Sequence, residues 1–198
     1  MNYLAHAYLS FNQPSILTGN MISDFVKGRK KFLYPLAIQK GMTLHRAIDD
    51  FTDTHPVTKE AMGYFRHDYR LYSGAFIDIV YDHFLANDKN EFESSETLET
   101  FCQHTYFSLE NNTVDLPEAF QIILPFMKQQ NWLYQYQYRE GIEKSFGGLV
   151  RRAAYLSDSV TAYHLFNKNY EALKDCYSAF FPDLKAFTVK KLAGLSNG

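Results

Sequence analysis

Apolar residues recur along most of this chain three and four positions apart, and short alternating runs of Val, Ile and Thr bounded by turns are nearly absent. That period gathers apolar groups on one face of a helix and leaves little that could pair as a sheet. The chain is therefore expected to be all-α, a helical bundle. Its 198 residues suffice for one well-buried core and are few for two, so a single domain over 1–198 is expected. Hydrophobic residues at 46% and charged residues at 21% exclude the composition of a disordered chain. The 15 Tyr and 17 Phe are read as core bulk, because aromatics mainly supply buried area.

Turn and cap signals divide the pattern. A first helix is expected over about 2–9, and a second over about 15–26, ended by Gly28 beside the basic run Lys27, Arg29, Lys30 and Lys31. A third is expected over about 35–51, a fourth over 56–69 with Pro56 in its first turn, and a fifth, the most apolar, over about 72–87. Ser94 or Ser95 suits the N-cap of a helix over about 96–109. Further on, Pro117 lies early in a helix, Gly147-Gly148 reads as a break, Ser157 or Asp158 as a cap, and Pro182 as a separator of the last two segments.

A net charge of −2 gives no global attraction to nucleic acid or to an anionic membrane, so neither is expected as a partner. Cys102 and Cys176 are too few for a disulfide scaffold and lack CxxC spacing, which fits structural thiols in a reducing compartment. The N-terminal MNYLAHAYLSFNQP does not read as a signal peptide, and no run reaches 18 apolar residues, so a cytoplasmic location is expected.

The chemistry lies in the first 83 residues. LHRAIDDFTD sets His45, Asp49 and Asp53 at i, i+4 and i+8 on one helical face, with Arg46 beside them. FIDIVYDHFLA sets Asp78 and Asp82 four apart, with His83 adjacent, in an otherwise apolar helix where unpaired charge is costly. Asp24 follows Asn20 by four positions in GNMISDFV, and His6 sits inside YLAHAYL. Oxygen and imidazole donors of this kind suit Mn²⁺, Fe²⁺, Zn²⁺ or Mg²⁺, and a helical bundle can project them inward. A cation would relieve repulsion within the carboxylate pairs and supply hydroxide near neutral pH. Arg46, Arg66 and Arg70 offer guanidinium forks for a phosphate. Ordinary alternatives stand beside these: His6 as a satisfied core histidine, Asp53 as a cap for the next helix, Asp49 and Asp50 as a solvated face, Lys27–Lys31 as a solvated run.

Four blocks in order, MNYLAHAYLS, SILTGNMISDFVKG, LHRAIDDFTDTHP and FRHDYRLYSGAFIDIVYDHFLA, resemble the acyl carrier protein phosphodiesterase family, also called holo-acyl-carrier-protein hydrolase. That family is distantly similar to the HD-type phosphohydrolases, although Asp82-His83 reverses the order of the pair that names them. The blocks span about the first 86 residues; beyond them the likeness is looser, in positions such as Trp132 and Tyr138.

The resemblance implies an HD-phosphohydrolase-like bundle that hydrolyses the phosphodiester joining 4′-phosphopantetheine to a serine of holo acyl carrier protein. The products would be apo carrier protein and phosphopantetheine, and the cofactor a divalent metal, Mn²⁺ first. Residue by residue it implies metal ligation by Asp24, His45, Asp49 and Asp82. His6, Arg46, Asp78 and His83 would serve as acid, base or orienting groups, and Arg66 and Arg70, with Lys27, as substrate contacts. Because carrier proteins are acidic, the basic run at Lys27–Lys31 is the expected docking surface. Two competing readings remain: a helical phosphohydrolase for a small nucleotide or cyclic nucleotide, and a non-catalytic module that binds a carrier protein.

Overall fold

The structure, a computed structural model, describes residues 1–196, and among these every regular element is a helix. In order they are α1 (Tyr3–Tyr8), α2 (Pro14–Ile22), α3 (Leu36–Thr54), α4 (Pro56–Tyr69), α5 (Ser73–Ala86), α6 (Ser95–Asn111), α7 (Glu118–Gln129), α8 (Trp132–Gln135), α9 (Arg139–Arg152), α10 (Val160–Lys168) and α11 (Tyr170–Ser196). Short 3₁₀ turns at Ser23–Phe25 and Gly28–Leu33 bridge α2 to α3.

The hub is α5. From Phe76 to Ala86 every residue except Asp78 is buried, which explains why its sequence reads as nearly continuous apolar text. Around it pack α1, α4, α9 and α11. Aromatic rings fill the joints: Phe76 stacks on Phe65 at 5.7 Å between centroids and meets Phe146 edge-on at 5.1 Å, while Tyr81 stacks on Phe180 at 5.0 Å. The reading of Tyr and Phe as core bulk therefore holds for these residues.

Capping explains several boundaries. Asn2 accepts from Tyr3 N–H at the start of α1, and Ser94 with Thr97 forms a reciprocal capping box on α6. Asp158 accepts from the N–H groups of Val160 and Thr161 and so holds the start of α10. Asp53 makes no such bond to α4, whose N-cap is His55.

Three boundary expectations are corrected. The second helix stops at Ile22, four residues early, because the chain tightens into a 3₁₀ turn before Gly28, which adopts φ +60°. Gly147 and Gly148 do not break α9. The guanidinium groups of Arg151 and Arg152, one turn on, fold back along the helix over these two positions. Nor does Pro182 divide the last helix, since α11 runs through it. A helix-interior proline costs about 3 kcal/mol, and the packing of Phe180, Phe181 and Leu184, all buried, offsets it.

The contact that positions the site is between α2 and α3, which cross backbone to backbone. A Cβ built on Gly19 would lie 2.0 Å from the Ile38 carbonyl oxygen, and one on Gly41 would lie 2.4 Å from that of Ile16. No side chain fits at either position. The crossing brings Asn20, next to Gly19, against His45, one turn beyond Gly41.

Candidate functional site

Asn20 is wholly buried and holds two imidazoles at once. Its amide nitrogen donates to the His6 carbonyl at 2.8 Å and to Ser10 Oγ at 3.1 Å, which leaves Oδ1 to accept from His6 Nδ1 at 2.8 Å. Its backbone carbonyl accepts from His45 Nδ1, also at 2.8 Å. With both Nδ1 atoms donating, both Nε2 atoms turn to the opposite side. The rings stack 3.9 Å apart and 18° from parallel.

Carboxylates meet those nitrogens. Asp49 Oδ1 lies 3.1 Å from His6 Nε2, and its Oδ2 lies 3.1 Å from His45 Nε2. Asp24 Oδ1 reaches His45 Nε2 at 3.1 Å from an exposed position on the turn after α2. The His6 contact is a distance without hydrogen-bond geometry, so His6 Nε2 is buried with no hydrogen-bond partner. Ligand atoms of His6, His45 and Asp49 all lie within 4.8 Å of one another, a group that could hold a metal ion.

The electrostatics divide the two rings. Burial lowers the His6 pKa, and the neighbouring His45 lowers it further, so His6 is neutral with its Nε2 lone pair turned to Asp49. Burial would lower His45 too, but hydrogen bonds to Asp24 and Asp49 overcome it and raise that ring to about 9. Asp49, despite a burial that favours its neutral form, is held far below the usual carboxylate range by its hydrogen bond from His45 and by the Met1 ammonium. Asp24 is also lowered, chiefly by its bond from His45.

The Met1 ammonium, with its nitrogen buried, donates to Asp78 Oδ1 at 2.9 Å and to Asp49 Oδ1 at 3.4 Å. Asp78 thus joins the cluster's edge through an internal cation that no side-chain motif announces. Burial opposes that charge, and the carboxylates outweigh it, raising the amine to about 11.

Six expected site residues stand elsewhere. Asp82 receives N–H bonds from Asn2, Leu4 and Ala5, at 3.3, 2.7 and 3.2 Å, and so anchors the N-terminus of α1 instead of joining the imidazoles. Burial pushes its carboxyl up to about 7, against the pull of the Met1 ammonium and those N–H groups. His83 ties α5 to the C-terminal half, with Nδ1 on the Tyr136 carbonyl at 2.7 Å and Nε2 on Tyr170 Oη at 2.9 Å, away from the cluster. Arg46, Arg66 and Arg70 are exposed and, among the described residues, make no ion pair with the cluster. Lys27 is exposed at the start of the 3₁₀ turn that follows Asp24. The chain's one adjacent His-Asp pair, His67-Asp68, lies at the end of α4 with the imidazole fully in solvent, outside the cluster.

A helical frame that buries two histidines and aims both Nε2 atoms at one shared carboxylate defines a class: an all-α protein with a candidate metal centre between α1, α2 and α3. The family described as acyl carrier protein phosphodiesterase matches residues 1–184, well past the four N-terminal blocks, and the chain belongs to that family. A Yersinia pestis protein named acyl carrier protein phosphodiesterase is 33% identical over 184 residues, covering 93% of this chain and 95% of the relative. Proteins of the same name from Yersinia enterocolitica and Salmonella agona are 31% and 28% identical, over 92% and 96% of this chain and 94% and 99% of theirs. No solved structure matches.

Proposed function

We propose that this protein hydrolyses the phosphodiester between 4′-phosphopantetheine and the serine of holo acyl carrier protein, using a divalent cation held by His6, His45 and Asp49, with Asp24 completing the set. One observation carries the reading: the buried Nε2 of His6 has no hydrogen-bond partner and faces a carboxylate oxygen at 3.1 Å. Two acceptors in that arrangement repel, and a cation between them turns the repulsion into ligation. Imidazole and carboxylate together suit Mn²⁺, Fe²⁺ or Zn²⁺ better than Mg²⁺. The family membership supports the choice of reaction and substrate.

Each residue then has a task. Asn20 fixes both rings by accepting from each Nδ1–H, as the outer hydrogen bonds of metal-binding histidines do. The Met1 ammonium, itself anchored by Asp78, holds the Asp49 carboxylate in place and ionised. When bound, the cation supplies Lewis acidity to the phosphoryl group and makes hydroxide available near neutral pH. Around Asp24, the 3₁₀ turn Gly28–Leu33 presents Lys27, Arg29 and Lys30 to solvent beside the exposed Phe32 and Leu33, a basic and apolar surface suited to an acidic carrier protein.

Intact-mass spectrometry of holo carrier protein incubated with the enzyme and Mn²⁺ tests the reaction. The expected result is loss of the phosphopantetheine mass, abolished by chelator and by Asp49→Asn. A carrier protein that keeps its mass under all conditions contradicts the reading.

A further inference from the structure

A cavity of about 570 Å³ opens between the first turn of α1, α8 and α9, a volume typical of small-molecule sites. Its wall carries three cations, Lys144, Arg151 and Arg152, and no carboxylate. Among the described residues none of the three has an ion-pair partner. Trp132 and Gln135 supply an indole face and an amide. A more open depression of about 640 Å³ on α6 carries two glutamates and is lined by no cluster residue.

The cavity adjoins the metal centre through α1. Asn2 and Tyr3 line it, while Met1 and His6, on the same two turns, belong to the centre. Tyr3 senses both Arg152, on the cavity side, and Asp24, on the centre side. A basic, carboxylate-free cavity of this size beside a phosphoester-cleaving site matches one part of a carrier-protein substrate, an anionic phosphate on a chain of amides and methyl groups.

Resting on the phosphodiesterase reading, we propose that the cavity between α1, α8 and α9 is the subsite for the phosphopantetheine arm. The phosphate lies toward Arg151 and Arg152, and the amide chain runs along Trp132 and Gln135.

Binding of free 4′-phosphopantetheine and of pantetheine, measured by calorimetry, tests this without any turnover. Gly148→Phe fills the cavity, and its Cβ meets only guanidinium tips, at 3.6 and 3.7 Å, so the helix can accept it. The paired substitution Arg151→Glu and Arg152→Glu reverses surface charge and has little to unfold. Wild-type protein is expected to bind phosphopantetheine about tenfold more tightly than pantetheine, and both variants to lose that binding. Equal affinity of wild type and both variants, or no binding by wild type, overturns the subsite. Wild-type protein that binds phosphopantetheine but never releases it from a carrier protein, with binding lost in Gly148→Phe, supports the subsite and counts against the reaction alone.

Discussion

At the scale of single residues, the candidate centre was partly legible. His45 and Asp49 stand four apart in a helical stripe, and spacing alone puts them on one face. His6 and Asp24 come from other segments, and nothing local to YLAHAYL or GNMISDFV says that they meet; the crossing of α2 and α3, with Asn20 bonded back to His6 on α1, does that. Asn20 fell within the resembling blocks without a role, because its function is to turn two rings through one amide and one carbonyl. Asp82 and His83 read as site residues because polar groups in an apolar helix need partners, and the partners they have lie outside the imidazole cluster: Asp82 accepts from α1, and His83 ties α5 to Tyr136 and Tyr170. Burial lowers His83 to about 4 from an ordinary 6.5. As pH falls, the unfolded chain binds a proton near 6.5 while the folded protein waits until near 4. Stability is therefore lost across that window, roughly 3 kcal/mol in full. Urea unfolding of His83→Gln across these pH values is expected to lack this fall, with hydrolysis at neutral pH retained; an unchanged pH profile, or lost activity, argues against the structural role.

At the scale of elements, the helical period located α3, α4 and α5 to within a few residues, because each has a long apolar stripe and a proline or polar turn at its ends. It failed where packing overrides local preference. Gly147-Gly148 and Pro182 are breakers by propensity, yet each lies within a helix that buried rings hold in place, Phe146 in one and Phe180 and Phe181 in the other. The glycines that matter most, Gly19 and Gly41, carried no local signal, since their function is an approach between two helices. Gly41→Ala would set a Cβ 2.4 Å from the Ile16 carbonyl and 3.0 Å from the Asn20 nitrogen. Such overpacking costs about 1–3 kcal/mol, which for a chain of this size lowers Tm by several degrees, roughly 2–4 °C per kcal/mol. Gly63→Ala on α4, where nothing lies within 4 Å, serves as its contrast. It is expected to gain up to about 1 kcal/mol from helix propensity. Calorimetric melts of the two variants that moved together would contradict the account of the α2–α3 crossing.

At the scale of the whole molecule, the all-α class was legible because a period of three to four fills most of the chain. Two features were not. A terminal ammonium that joins Asp49 to Asp78 has no side-chain signature, and a cavity between α1, α8 and α9 joins segments more than 120 residues apart. No helix among the described residues is long and apolar enough to cross a membrane. A net charge of −2 conceals the local basic turn at Lys27–Lys31, on which the proposed docking depends. Reversing Lys27, Arg29 and Lys30 to glutamate is expected to raise KM for carrier protein several-fold while leaving kcat near wild type, with the difference shrinking as salt is added. An unchanged KM removes this turn from the docking surface. In the proposed centre, His6, His45 and Asp49 hold a divalent cation, with both imidazole rings oriented by Asn20. This is tested most directly by electron paramagnetic resonance titration of the purified, metal-stripped protein with Mn²⁺. Saturable binding at a single site, weakened about 10–100-fold by Asn20→Ala and abolished by Asp49→Asn, is the predicted result; wild-type protein that binds no Mn²⁺, or Asp49→Asn protein that binds it equally well, would contradict the account.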